Sequence, residues 1–404
     1  MKKVLSHTIV IFFLMVISSR SQNIWQKTAF PSEYFITAIA VNHSGYVFVG
    51  TIDGFILRST NLGNEWETFG YELPIAEVQA FAINNLGQIY ATVGDGVYKT
   101  TNNGENWHLS KAGMNNIRIP AITVTNNNLI FAGTYSLVYR STNNGLTWTS
   151  HSSGLASSQT LSIASNSTGI LFLGNLNGGL YRSNNNGENW ERVGLFTING
   201  SVNDIEINLN DYIFVGTSQN IYRSTNHGND FTKLNTGLPS GNIYRIVINY
   251  SNQLFLIING KIYRSTNHGD SWANFSDGIP SAISVTSLAI SPDGYIYAGT
   301  YGSGLYKTIY STTDVKEIKN TSIDLYILSQ NYPNPFNPST TIKFALPERA
   351  NVKLSIYNLL GENVAELVNG EMDAGYHETQ WHANGFANGV YFYTLVVSPP
   401  RPPQ

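Results

Sequence analysis

The sequence predicts an all-β chain whose main body is a seven-bladed β-propeller, and three observations carry that expectation. A Ser/Thr-x-Asn-x-Gly-x-x-Trp box recurs with its glycines at 63, 104, 145, 187, 228 and 269, in steps of 41 or 42 residues. Between boxes each unit reads as four short alternating runs divided by turn residues, and four strands in about 40 residues make a propeller blade. Composition agrees: Gly (36) and Tyr (24) are abundant while 12% of residues are charged, half the usual share of about 25%.

Taken in order, residues 1–21 read as a secretory signal. Lys2 and Lys3 precede a mostly apolar stretch at 4–17, and Ser19, Arg20 and Ser21 lie where cleavage would fall. The apolar stretch is shorter than the roughly 20 residues a membrane span needs, so removal before Gln22 is expected, leaving no span. The propeller then occupies 22–310. Its second and third strands recur seven times, the third marked by Leu57, Tyr98, Tyr139, Tyr181, Tyr222, Tyr263 and Tyr306, yet only six boxes are complete. The seventh unit stops after Thr308 without its outermost strand. Trp25 lies 41 residues before Trp66, so residues 23–28 are expected to fill that slot, pair with 305–308 and close the ring.

Within each box the Ser/Thr and Asn side chains can accept from turn N–H groups, Gly supplies positive φ, and the aromatic ring packs between sheets. Trp25, Gly63, Trp66, Gly104, Trp107, Gly145, Trp148, Gly187, Trp190, Gly228, Phe231, Gly269 and Trp272 are therefore assigned structural work. Over nearly all of 22–310 these boxes resemble the Asp-box, or BNR, repeats of sialidases, sortilin-type receptors, xyloglucan-degrading hydrolases and photosystem II assembly factors. Asn61, Asn102, Asn143, Asn185, Asn226 and Asn267 stand where that family has Asp. The resemblance implies that boxes join strands three and four, with ligand sites at the opposite rim. Asp53, Asp95, Tyr135, Asn177 and Tyr301 fall on turns between strands two and three, and Tyr34, Tyr71, Glu77, Arg118 and His151 on connections between blades.

For chemistry at that rim, Arg118-Ile119-Pro120 resembles the Arg-Ile-Pro motif of sialidases, but here it follows the second box instead of preceding the first. Arg58, Arg140, Arg182, Arg223 and Arg264 repeat at one third-strand position, leaving only Arg192 and Arg245 to complete an arginine triad. Glycoside hydrolysis needs two carboxylates a few ångströms apart. Asp53, Asp95 and Glu77 are the weak catalytic candidates, although Asp53-Gly54 and Asp95-Gly96 also read as ordinary turn pairs. Tyr34, Tyr71, Tyr135 and Tyr301, with Arg118 and His151, are the ligand-binding candidates; the tyrosines suit stacking on sugars and equally suit loop packing. His227 and His268 recur in adjacent boxes without clustered partners, a poor metal set. With no cysteine and a formal net charge of −3, thiolate zinc sites, disulfides and nucleic-acid binding are excluded, and no cofactor or metal is expected.

Residues 311–325 read as a polar linker. Alternating runs at 352–357, 364–368, 377–381 and 390–397 follow, with Gly-rich turns, and suggest a small sandwich. Three motifs in order, namely Tyr332, Pro333, Asn334, Pro335 and Phe336, then 356–361, then Gly389, Val390 and Tyr391, resemble the C-terminal sorting domain of type IX secretion substrates. That resemblance covers 326–397. It implies an Ig-like fold, recognition by the type IX machinery and an outer-membrane surface or secreted location. The 398–404 tail is Pro-rich where the family has a final strand, and Pro cannot donate to a ladder; this reads as a truncated or frameshifted form, the alternative being a chain whose export is impaired. The expected function is a monomeric, non-catalytic module binding a glycan or another surface protein; the alternative is an extracellular polysaccharide-active glycoside hydrolase.

Overall fold

The computed structural model describes residues 23–115, 118–156, 159–194, 198, 200–313, 327–328, 331, 338–346, 348–386 and 389–398. The signal expected at 1–21, most of the linker, the motif at 332–336 and the tail at 399–404 lie outside them. Among the described residues no helix is long and apolar enough to cross a membrane.

Among the described residues, seven four-stranded antiparallel sheets and two three-stranded sheets account for the strands. The seven, numbered here in chain order, have inner strands Ile36–Val41, Val78–Ile83, Ala121–Val124, Thr160–Ser165, Val202–Ile207, Ile243–Ile248 and Val285–Ile290. Each inner strand packs on the next, and the last packs on the first, so the sheets close into a β-propeller. Its core lies between sheets. Phe48 of sheet 1, for example, shares a cluster with Ile89, Val93 and Trp107 of sheet 2. The second strand of every sheet is covered on both faces, as in Val47–Thr51, Leu171–Asn175 and Ile296–Thr300, which is why these runs are apolar almost without alternation.

The ring closes where the sequence places it. Strand Trp25–Lys27 pairs antiparallel with Leu305–Thr308, Trp25 opposite Thr308 and Lys27 opposite Tyr306. Trp25 also acts as the box tryptophan that sheet 7 otherwise lacks. Its indole N–H donates to the Phe275 carbonyl at 2.6 Å and its backbone N–H to Asp277 at 3.1 Å. The indoles of Trp148, Trp190 and Trp272 likewise donate to the carbonyls of Ser110, His151 and Leu234 in the sheet before them, and their backbone N–H groups to those of Ala112, Ser153 and Thr236.

The boxes are turns held by their own side chains. Ser59 Oγ accepts from Gly63 N–H at 2.8 Å and Asn61 Oδ1 from Glu65 N–H at 2.9 Å, and the pattern repeats through Ser265, Gly269, Asn267 and Ser271. The contacts of the Asn amide give it work that an Asp could not do. Its Nδ2 donates to Glu65, Thr147, Asp230 and Ser271 four residues on, whereas a carboxylate would face Glu65 or Asp230 with like charge. Glycine is not the only left-handed residue in the turn. The preceding Leu62, Asn103, Asn144, Asn186, His227 and His268 have φ of 54–61°, a region that Asn and His tolerate better than most side chains.

The C-terminal segment forms two three-stranded sheets, Ile327–Leu328 with Ser339–Leu346 and Gly375–His382, and Asn363–Met372 with Ala350–Tyr357 and Phe392–Ser398. They share a core that includes Ile342, Phe344, Leu354, Ile356 and Trp381. The four expected runs are all strands, the last beginning at Phe392, two residues later than expected. Strands at 327–328 and 339–346 add to them.

Candidate functional site

Between neighbouring sheets the repeated third-strand cation has a defined task. Arg58, Arg140, Arg182 and Arg223 each donate from Nη1 to the carbonyl of the left-handed box residue in the following sheet, at 2.7–2.8 Å. Lys99 does so at 3.1 Å. These cations are structural clamps. Arg118, Arg192 and Arg245, the set left for a triad, are not brought together. Arg118 pairs with Glu77, Arg192 reaches the Gly178 carbonyl from an outer strand, and Arg245 faces Asp204 from an inner one.

Alternation of four strands puts the boxes at one end of the ring and the turns between strands two and three, with the connections between sheets, at the other. Two of the three carboxylates expected at that second end are held by cations. Glu77 is ion-paired with Arg118, and Asp95 lies 3.2 Å from Lys111. Asp53 is exposed, in the turn beside Pro74 and Ala76. Two placements differ from expectation. His151 does not face the rim: it turns into the gap between sheets 3 and 4, its Nδ1 3.5 Å from Glu188 and its Nε2 3.0 Å from Thr149 Oγ1. Burial and then the nearby Arg140 guanidinium lower its pKa, against the pull of Glu188. Of the box histidines, both of which read from the sequence as solvated loop residues, His227 is exposed, but His268 packs edge-on against Tyr212 at 5.7 Å. Among the described residues no group of three or more His, Asp or Glu could hold a metal ion.

Aromatic residues collect where sheets 7 and 1 meet on this rim. Tyr301 lies flat on Phe35, with ring centroids 4.2 Å apart and planes 14° apart, and the two backbones form a β-bridge. Tyr34 meets Phe55 edge-on at 5.6 Å and Phe30 at 6.1 Å, and Phe30 continues to Trp66 at 5.0 Å. Phe30 is buried, while Tyr301 is 61% exposed and Ile52 and Phe55 beside it are also exposed. The structure therefore places two of the expected tyrosines at one junction, Tyr34 against Phe30 and Phe55 and Tyr301 against Phe35. Tyr71, at 79% exposure, stands on the connection to sheet 2, followed closely by exposed Ile75. Tyr135 and Asn177 sit exposed on the turns of sheets 3 and 4.

With this geometry in hand, residues 199–366 match the family described as DUF6242 beta propeller domain. YCF48 from Cyanidioschyzon merolae superposes with a TM-score of 0.55 at 13% identity, over 70% of this chain and 98% of that one. Virginiamycin B lyase from Staphylococcus aureus gives 0.61 at 17% identity, over 70% and 98%. PorZ of Porphyromonas gingivalis, described as a bacterial surface component of the type-IX secretion system, gives 0.54 at 14% identity, over 92% of this chain and 60% of its own. No curated protein matches in sequence. At these identities the likeness is one of fold, and a fold shared by a lyase and a secretion component does not choose a function.

One polar cluster escaped the sequence reading. On the inner strand of sheet 5, Asp204 is buried and Glu206 half-buried, with Arg245 of sheet 6 opposite. Aligning the inner strands would have exposed it, because the positions of Asp204 and Glu206 are Ala38 and Ala40 in sheet 1, Ala80 and Ala82 in sheet 2, and Ser287 and Ala289 in sheet 7.

Proposed function

We propose that this chain is a secreted or surface-displayed seven-bladed propeller, exported by type IX secretion through an Ig-like sorting domain at 326–397, and that it is a non-catalytic module binding a glycan or another surface protein. The observation that carries the binding reading is the aromatic cluster at the junction of sheets 7 and 1. A stacked Phe35–Tyr301 pair presents a flat apolar face with a hydroxyl at its edge, the chemistry that covers the faces of sugar rings or apolar side chains. The pairing of Glu77 with Arg118 and of Asp95 with Lys111 supports binding over hydrolysis, since a catalytic pair needs one carboxyl free to hold a proton and one free to attack or activate water. The surface role described for PorZ and the extracellular origin of a similar domain of BT4673 from B. thetaiotaomicron agree with an exported chain. The Asn boxes support an Asp-box-like repeat in which the amide replaces the carboxylate.

The test is retention of the purified full chain on a polysaccharide panel that includes sialylated and xyloglucan types, with newly released reducing ends measured in the same samples. Retention without release, lost in Tyr301→Ala and kept in Asp53→Asn, is expected for a glycan-binding module. Release abolished by Asp53→Asn, Glu77→Gln or Asp95→Asn would replace this reading with a hydrolase. Neither retention nor release moves the assignment from glycan to a surface protein partner.

A further inference from the structure

The inner strand of each sheet has one edge with no strand beside it, facing the ring axis, so its N–H groups need other partners. In sheets 5 and 6 a side chain from the preceding sheet supplies one. Ser162 Oγ of sheet 4 accepts from Ile205 N–H at 3.1 Å, and Asp204 Oδ2 of sheet 5 accepts from Ile246 N–H at 2.7 Å. Ser162 Oγ also donates to Asp204 Oδ1 at 3.2 Å, so three consecutive sheets are tied along the channel wall. Asp204 is 3% exposed, and Arg245 Nη1 is 3.9 Å from its Oδ1.

Glu206 follows two residues later, which places it on the same face of the strand as Asp204. The strands packed against theirs are Thr160–Ser165, Leu171–Asn175, Ile213–Thr217 and Ile243–Ile248. Of all their residues only Arg245 carries a charge. Two carboxyl groups thus stand on one strand face near a single guanidinium, which lies within 4 Å of Asp204 alone, in surroundings that are otherwise uncharged. With Asp204 ionised and Glu206 protonated, the trio is neutral.

We propose that Asp204, Glu206 and Arg245 form a proton-linked latch between sheets 5 and 6: a single proton held by the carboxyl pair lets Asp204 keep both Arg245 and the Ile246 N–H, and loss of that proton weakens this seam of the ring. Burial, and next the Asp204 carboxylate, push Glu206 up to about 8 against the opposite pull of Arg245. Glu206 is half-buried on the inner strand of sheet 5, with the inner strands of sheets 4 and 6 on either side. A carboxyl group whose pKa is raised on folding favours the folded state at low pH. Its contribution declines as pH rises from the unfolded value of 4.5 to about 8 and is constant above that.

The experiment compares the folding equilibrium of the full chain with that of Glu206→Gln, which mimics the protonated group, by urea denaturation from pH 5 to 9. The ratio of folding constants, variant over wild type, should grow about tenfold per pH unit and level off near pH 8. Amide exchange at Ile246, corrected for its intrinsic pH dependence, should lose protection across the upper end of that range in the wild type and not in the variant. A ratio independent of pH would overturn the proposal. Should Glu206→Gln not fold, carbon-13 NMR of the wild-type Glu206 carboxyl decides: titration near neutral or alkaline pH supports the latch, and titration in the ordinary carboxylate range refutes it.

Discussion

Replacing Trp25 by alanine tests the claim that three N-terminal residues close the ring as a full member of the box series. Trp25 is 1% exposed, meets Phe275 edge-on at 6.0 Å, and shares a core with Phe255, Ile279, Leu288 and Ile296. An aromatic side chain that buries about 150–250 Å² contributes roughly 4–6 kcal/mol at about 25 cal/mol per Å², and measured Trp-to-Ala losses in cores run about 3–5 kcal/mol. The indole bond to the Phe275 carbonyl adds about 1 kcal/mol and leaves that carbonyl unsatisfied when removed. The expected loss is therefore about 4–5 kcal/mol. With a urea dependence of about 3 kcal/mol per molar, the unfolding midpoint of the full chain followed by circular dichroism should fall by about 1.5 M. Trp66→Ala is the internal comparison. Trp66 is only half-buried and its indole N–H bonds to Gly63 in its own turn, so its loss should be clearly smaller. Trp25→Phe should retain much of the stability, since sheet 5 uses Phe231 at the same place. If Trp25→Ala is no more destabilising than Trp66→Ala, the assignment of Trp25 as the ring-closing box residue is wrong.

Three other outcomes follow from the repeat geometry. Gly154→Ala should destabilise by more than about 1 kcal/mol in thermal melts, because φ is +89° and an added Cβ would sit 2.0 Å from the Trp190 carbonyl oxygen. Asn61→Asp and Asn143→Asp should differ: the first sets a carboxylate against Glu65, the second against the Thr147 hydroxyl. The Asn61→Asp loss should be a few tenths of a kcal/mol to about 1 at neutral pH, and should vanish below the carboxylate range, where the repulsion is titrated away. Arg223→Ala should cost about 1–3 kcal/mol in urea unfolding through the lost bond to the His268 carbonyl, while Arg223→Lys retains part of it, as Lys99 does in sheet 2.

How much of this was legible in the sequence depends on whether a contact recurs. The boxes, the four strands per unit and the Trp25 substitution for a missing seventh box all repeat with one period, so their spacing alone located them. The clamps were visible as a repeated cation but not as contacts, because the recipient is a backbone carbonyl in the next sheet, which has no sequence signature. The same holds for Gly113, Gly154, Gly237 and Gly278, whose positive φ lets each loop approach the backbone of Trp148, Trp190, Trp272 or Trp25. Rim residues were the least legible. The connections there vary in length and composition, so His151 could be placed after a fourth strand but not turned into the gap beside Glu188. The Phe35–Tyr301 stack joins residues at opposite ends of the propeller and required closure to be known first.

That last dependence links the aromatic cluster to the closing strand. At most seams a box in the next sheet is gripped by a cation, but sheet 7 carries no box and ends at Thr308. Arg264 of sheet 6 accordingly lies 5.4 Å over the Phe275 ring, the same ring that packs on Trp25. The chain leaving Lys27 then crosses the rim from the outer edge of sheet 7 to the inner edge of sheet 1, and every aromatic residue of the cluster on that crossing, Phe30, Tyr34 and Phe35, belongs to it. The rim cluster thus stands on the segment held to sheet 7 by a strand pairing only three residues long. An occupant spanning Tyr301 and Tyr34 would bridge sheet 7 to the segment that closes it, and binding that favours the closed ring must by linkage raise the stability of the closure. In Trp25→Phe, where closure is weakened and the cluster is intact, ligand affinity and ring stability should fall together; a variant that loses stability and binds as tightly as wild type would separate the two.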